Sequence, residues 1–358
     1  MNTAIPTHLV ASPGAILDEW LDERNMSQRD LADRIDKSEK FVSQLINGKA
    51  TLSDNTAHDL ELITQVSAES WLRMEGAYRA ARKRTAAIAE AATAESPVEA
   101  QLMRLLRSCG VITAPRGNRG EQAIQVYEFL GVTSASALAH VTTRRAAAFR
   151  TSNAFTPDPV ATEVTLALSR RQADHLTTSP IDLDRVRDCI GRIPPLTLEQ
   201  PARGAIAARE MLAHAGVALV FLPNVPKAHC NGVTLWDNDR VIVAITDRGK
   251  REDIWWFTLL HELCHVLEGP TDAIYINGGS TKGQGSEAEL RADAFATDTL
   301  IPPEKAHLLE LVQTFADLED VANRLGVSPG IAVGQLHHRR LKPYSWGNDY
   351  LRRVEVAV

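Results

Sequence analysis

The stretch WWFTLLHELCHVLEG contains His261, Glu262, Leu263, Cys264 and His265. Side chains four apart on an α-helix share a face. Both imidazoles can therefore reach one zinc ion, with Glu262 beside the open coordination position to take a proton from water. The apolar WWFTLL before the motif and Gly269 after it frame a buried helix with a glycine exit. A catalytic zinc usually has three protein ligands, so a third donor must come from elsewhere. SEAELRADAFATDTLIP, downstream, reads as a helix carrying Glu287, Glu289 and Asp293. Glu289 and Asp293 are four apart, so Glu289 can ligate while Asp293 accepts the second N–H of a ligand histidine. Glu287 competes with Glu289, and either also reads as a solvated acid at a helix start, where acids are favoured. The expected site is His261 and His265 with Glu289 or Glu287 around Zn2+, Glu262 as general base and Asp293 behind a ligand.

These residues need a scaffold. ARGAIAAREMLAHAGV reads as a helix ending at Gly216; VALVFLP, GVTLW and RVIVAIT read as strands, the last two joined by the polar turn DND. The order of helix, strands and HELCH helix predicts a small mixed α/β core. RVIVAIT is a candidate edge strand for holding an extended peptide. His229, Tyr275 and Arg248 stay open as oxyanion stabilisers. NGGSTKGQGS (277–286) lacks the order of a phosphate loop and reads as a flap. Cys264 reads as a small buried apolar residue. DLEDVANRLGVSPGIAVGQLHHRRL predicts two helices packed on the core, ending in a solvated basic cluster of His337, His338, Arg339 and Arg340.

The N-terminal part is a run of short helices. Ile16, Leu17, Trp20 and Leu21 fall at helical spacing, Ser27 and Ser38 sit where N-caps belong, and Gly48 is a helix stop. In SQRDLADRIDKSEKFVSQLINGK, Leu31, Ala32, Ile35, Val42 and Leu45 supply packing. Ser38, Glu39, Lys40, Ser43, Gln44 and Asn47 are left facing out from the second helix, where they can enter a major groove. Gln28, at the start of the first helix, is placed for phosphate, and Lys40, Gln44 and Asn47 have donors for base edges or backbone. Lys49 extends the basic side. AARKRTAAIAEAATAESPVEA (80–100) shifts to alanine and charge, a candidate linker helix, and residues 98–190 keep a helical pattern.

The whole chain has 358 residues, 44% hydrophobic and 23% charged, which suits two or three domains with ordinary cores and excludes a disordered or fibrous protein. Net charge −6 opposes a chain coated in lysine, but Arg29, Lys37, Lys40 and Lys49 cluster on the predicted groove face, and the patch decides. Four scattered cysteines form no CxxC pair, so they read as reduced thiols. No long apolar run and no signal-like N-terminus are visible, which predicts a cytoplasmic protein without a membrane partner.

PGAIL, SQRDLA, the INGKA turn and ESWLRMEGAYR make residues 13–78 resemble the Cro/C1-type (Xre) helix-turn-helix family, and within it the HigA-type antitoxins. That resemblance implies a homodimer that binds double-stranded operator DNA and represses its own operon. IWWFTLLHELCHVLEG, EAELRADAFATDTLIP and the strands GVALVFLP and VIVAITDR make roughly residues 140–340 resemble the ImmA/IrrE family of zinc metallopeptidase-like domains. Carried across, His261 and His265 match its zinc ligands, Glu262 its general base and Glu289 its third ligand. One departure is Arg291, where the family often has glutamate; were that position the ligand, catalysis would fail, and the spacing to Asp293 favours Glu289. The expected fold class is α+β and helix-rich: an all-α helix-turn-helix domain (13–80), a helical middle (81–200) and a small mixed α/β zincin-like domain (201–345). Two functions stay open: a regulator that cleaves a toxin or repressor partner, or a non-catalytic antitoxin whose C-terminal part senses a signal or binds that partner.

Overall fold

The computed structural model describes residues 11–148, 158–237, 240–248, 250–269, 275–277 and 287–355. Two compact units emerge, one formed by Met1–Ser96 with Thr113–Val126 and the other by Pro97–Ile112 with Tyr127–Val358. The helical middle is thus shared between the two units. No helix among the described residues is long and apolar enough to cross a membrane.

The first unit opens with α1 (Pro13–Glu23), α2 (Gln28–Arg34), α3 (Glu39–Ile46), α4 (Asp54–Thr64) and α5 (Ala68–Thr93). Serines cap all five of these starts: Ser12, Ser27, Ser38, Ser53 and Ser67 each accept a backbone N–H of the first turn, and Asp30 completes a capping box with Ser27. Leu17, Leu21, Leu31, Ala32, Ile35, Val42, Leu45, Leu60 and Trp71 share one core. α1 runs so close to the end of α3 that a Cβ on Gly14 would stand 2.4 Å from the Leu45 carbonyl oxygen. α5 does not stop near residue 80. AARKRTAAIAEAAT consists almost wholly of strong helix formers, so the last helix of the bundle and the expected linker helix are one element, ended before Pro97.

The second unit begins with α6 (Ala100–Ser108), and α7 (Arg119–Leu130) spans residues of both units. Then follow α8 (Ala135–Ala148), α9 (Pro159–Ala173), α10 (Leu183–Leu196) and α11 (Pro201–His214). The sheet consists of β1 (Val217–Leu222), β2 (Gly232–Asp237), β3 (Arg240–Thr246) and β4 (Tyr275–Asn277), in the order β1-β3-β2-β4. β1 and β3 run parallel with Val220 opposite Ala244; β2 is antiparallel to β3, with Val233 opposite Ala244, and antiparallel to β4, with Thr234 opposite Tyr275. The expectation that RVIVAIT lies at an edge is therefore wrong. β3 is paired on both sides and almost wholly buried, and such continuous apolar β-branched runs mark interior strands.

α12 (Glu252–Glu268) packs on β2 and β3 and carries the HELCH motif, and α13 (Glu287–Leu300) lies along it. α14 (Phe315–Leu325) and α15 (Pro329–His338) complete the element order. Leu318, Val321, Ile331 and Leu336 join the same core as β1, β3 and α12, so the C-terminal helix pair packs on this core as expected. The solvated basic end is not what the structure shows: His337 is 2% exposed and hydrogen-bonds the Trp346 carbonyl at 2.8 Å. Only His338 and Arg340 of that group are exposed. The cause is the segment after α15, which folds back over His337.

Candidate metal centre and nucleic-acid interface

α12 is apolar on nearly every side because it is enclosed by the sheet, α13 and the C-terminal helices. His261, Glu262 and His265 are consequently at most 1% exposed. Two imidazoles and carboxylates sunk in an apolar core must satisfy one another, and they do. The Nε2 atoms of His261 and His265 are 3.3 Å apart. Glu289, reaching in from α13, places Oε2 3.4 Å from His261 Nε2 and Oε1 3.3 Å from His265 Nε2. Glu287 stays outside this group; its carboxylate is exposed and pairs with Arg291 at 3.3 Å.

Bonds of about 2.0–2.1 Å to a tetrahedral ion place its ligand atoms about 3.3–3.4 Å from each other. The contact between the two Nε2 atoms matches one edge of that figure, and Glu289 turns one carboxylate oxygen to each imidazole, so that the three residues can each bring a ligand atom within 4.8 Å of the others. The far side of each imidazole is also engaged. His261 Nδ1 lies 2.9 Å from Asp293 Oδ1, and His265 Nδ1 lies 3.3 Å from Glu268 Oε2. Nδ1–H donation to a carboxylate leaves the Nε2 lone pair for a cation. A neutral-nitrogen, carboxylate donor set of this kind fits zinc.

The electrostatics agree with the placement of a cation. Burial opposes a charge on His261, but its hydrogen bonds with Asp293 and Glu289 and the field of Glu262 outweigh it and raise its pKa to about 10. His265 is raised too, with burial overcome by Glu289 and Glu262. Burial likewise works against the Glu289 carboxylate, yet hydrogen bonds from His261 and His265 prevail and hold it down at about 2. Glu262 is pushed up, chiefly by burial.

Glu262 is held from the sheet. Thr234 Oγ1 of β2 donates to Glu262 Oε2 at 2.7 Å and lies 3.1 Å from the Glu262 carbonyl oxygen. Glu262 Oε1 is buried and has no hydrogen-bond partner among the described residues. β2 comes this close because residue 232 is glycine; a Cβ there would stand 2.6 Å from Thr258 Cγ2 and 2.7 Å from Glu262 Oε1. Cys264 faces away, half-buried, its thiol pushed up to about 11 by burial and by Glu268. Of the oxyanion candidates, Arg248 donates to the His229 carbonyl at 2.9 Å, while the Tyr275 side chain and all of the flap beyond Asn277 (278–286) lie outside the described residues.

In the first unit α3 buries Val42 and Leu45 in the bundle and leaves Lys40 and Gln44 exposed on its other face. Lys49 is exposed just beyond, and Gln28 and Ser43 are half-buried. Ser38 and Asn47 have local work. The Ser38 hydroxyl caps α3 by accepting the Phe41 N–H at 3.1 Å, and Asn47 Nδ2 donates back to the Ser43 carbonyl at 2.7 Å. The turn after α3 is fixed from α5: Arg82 Nη1 donates to the Gly48 carbonyl at 3.2 Å, and Arg79 bridges Glu75 and Thr51.

Comparison with known proteins separates the same two parts. The helix-turn-helix family pattern matches residues 17–71, and that of the IrrE N-terminal-like domain, peptidase family M78, matches residues 215–337. The uncharacterized HTH-type transcriptional regulator YddM of Escherichia coli (strain K12) is 35% identical over 66 residues, 18% of this chain and 70% of that protein. This chain belongs to the HTH-type transcriptional regulators. The regulator is also similar to an addiction module antidote protein of the HigA family from Coxiella burnetii, at 26% identity over 24% of this chain and 97% of that one, with a TM-score of 0.21. Its IrrE-like match runs from the residue before Gly216 to the penultimate residue of α15 and so contains every residue of the candidate metal centre.

Three residues of the regulator's site were not singled out by spacing. Glu268 is one further helical turn beyond His265, a three-residue offset visible in HELCHVLE. Arg291 contacts it, with Nη2 2.8 Å and Nε 3.2 Å from Glu268 Oε1. Thr234 carries no local signal; only the pairing of β2 beside α12 brings it to Glu262.

Proposed function

We propose that this protein is an antitoxin-like, DNA-binding transcriptional regulator whose C-terminal domain is a zinc metallopeptidase acting on a partner protein, a toxin or a repressor. In this reading residues 13–80 read operator DNA as a homodimer, 81–200 form a helical platform and 201–345 form the metal domain. The observation that carries the peptidase half is the set of three donor contacts at 3.3 to 3.4 Å beside a buried, singly anchored Glu262.

His261, His265 and Glu289 would hold the ion, with Asp293 and Glu268 fixing the imidazole tautomers. Zinc bound there supplies Lewis acidity, polarising a carbonyl and making water a competent nucleophile near neutrality. Thr234 holds one oxygen of Glu262 and leaves the other to receive a proton and pass it to the leaving amine. The burial that raises the pKa of Glu262 brings it closer to the range a general base needs. On the DNA side, Lys40 and Gln44 are the exposed donors of α3 suited to base edges and phosphate, with Lys49 and Gln28 at the flanks. Ser38 and Asn47 contribute through the shape of α3 and its turn, and Ser43 faces the same side.

Metal analysis of the purified full chain, wild type against His261→Ala, tests the zinc half. About one zinc per chain lost in the variant supports it; no zinc in the wild type refutes it. Gel-shift titration with the DNA upstream of its own coding sequence tests the other half. Lys40→Ala and Gln44→Ala are each expected to weaken binding, Gln44→Ala by about 1–3 kcal/mol at the base it reads. A wild type with equal affinity for all sequences refutes sequence-specific regulation.

A further inference from the structure

Arg291 stands two positions beyond Glu289 on α13, is half-exposed, and faces the end of α12. Its guanidinium takes Glu268 Oε1 with Nη2 at 2.8 Å and Nε at 3.2 Å, while Nη1 reaches Glu287 at 3.3 Å. The other oxygen of Glu268 is turned to His265 Nδ1 at 3.3 Å. The two carboxylate oxygens are thus divided, one to the arginine of α13 and one to the histidine of α12. We propose that Glu268 and Arg291 are a positioning pair for the metal site: Glu268 accepts the Nδ1 proton of His265 so that Nε2 faces the ion, and Arg291 holds Glu268 there.

The pair rests on the zinc reading above and deepens it. The two imidazoles lie on the same helix but have different supports. His261 is held by Asp293 across the α12–α13 contact at 2.9 Å. The His265 support comes from its own helix, at an i, i+3 offset and a longer distance, and a glutamate at a helix end has many rotamers to choose from. Arg291 removes that freedom. It also ties the last turn of α12 to the helix that provides Glu289, and so couples the two elements that carry the donors. A bare surface ion pair would do little of this, since such pairs contribute about 0–1 kcal/mol. The orientation of Glu268 towards a histidine that is itself wholly buried is what separates this pair from that case.

The test is zinc affinity, measured on the full chain by competition with a chromophoric chelator. Glu268→Ala is expected to weaken zinc binding about 10–100-fold, the usual effect of removing a carboxylate behind a ligand histidine. Glu268→Gln, whose amide oxygen still accepts the Nδ1 proton, is expected to lie closer to wild type than to Glu268→Ala. Arg291→Ala is expected to weaken binding about threefold to tenfold, and much less in the Glu268→Ala background, because neighbours in one network do not add. Circular dichroism of the metal-free variants confirms folding, and Glu268→Asp, which keeps the charge but shortens the reach, serves if Glu268→Ala does not fold. If His261→Ala loses zinc while Glu268→Ala and Arg291→Ala stay within about twofold of wild type, the pair is overturned. Equal losses in Glu268→Ala and Glu268→Gln overturn it too, since a salt bridge alone predicts that. If His261→Ala binds zinc like the wild type, the zinc reading itself has failed.

Discussion

Arg352→Met is expected to destabilise the C-terminal unit through the first residue of the metal helix. Glu252 opens α12, is 0% exposed, and receives Arg352 through Nε at 3.0 Å to both oxygens and Nη2 at 2.5 Å. Arg352 also donates to the Thr197 carbonyl at 2.5 Å, and its own carbonyl accepts the Glu252 N–H at 2.9 Å. Removing one partner of a buried pair costs about 3–5 kcal/mol because the remaining charge stays buried. Arg352 keeps a third of its side chain in solvent, so the lower end, about 3 kcal/mol, is expected. At about 2–4 °C per kcal/mol for a unit of this size, calorimetry of the full chain should show its transition lowered by roughly 6–12 °C. Glu252→Gln/Arg352→Met should recover more than half of the loss, since the orphaned charge is gone. The pH dependence follows from burial, which raises the Glu252 pKa above the ordinary 4.5 against the pull of Arg352. A carboxyl with a raised folded pKa favours the folded state below 4.5, and that advantage is lost as pH rises through the folded value. Without Arg352 the folded value climbs further, so the cost of Arg352→Met should be largest at neutral pH and shrink towards pH 4.5. A cost within about 0.5 kcal/mol of wild type, typical of an indifferent surface change, would refute the argument. So would a double variant no more stable than Arg352→Met.

Gly232→Ala drives a methyl group against Thr258 and Glu262, and is expected to cost about 1–3 kcal/mol by overpacking, read as a lower thermal midpoint of the same unit. Gly14→Ala places a Cβ against the carbonyls of Leu45 and Ile46 and should both destabilise the first unit and weaken DNA binding, because α1 can then no longer seat the end of α3; gel-shift and calorimetry together check this. Asp293→Ala removes the acceptor behind His261 and is expected to lower zinc affinity about 10–100-fold in chelator competition, with metal-free folding preserved.

The parts of this molecule that were legible in sequence are those where chemistry repeats at the helical period. His261 and His265, and Glu289 and Asp293, each lie four apart on one helix, so their shared face follows from the chain alone, and the choice of Glu289 over Glu287 came from the same spacing. Serine caps and buried leucines are equally local, which is why the first unit reads off the sequence helix by helix. What was not legible depends on which elements become neighbours. β3 looked like any exposed strand until β1 paired with its outer side. His337 reads as a surface residue until the following segment folds over it. Arg291 has no role in its own helix pattern, because composition at one position says nothing of Glu268 across the helix interface. Thr234 shows the limit most clearly: a threonine in a strand has a structural explanation already, and only the glycine two residues before it, Gly232, hints that something must come close. A glycine inside a buried strand is costly unless a neighbour requires the space, and here the neighbour is Glu262. That makes such glycines usable signals: the absent side chain marks where the tertiary structure delivers a functional group that the local pattern cannot.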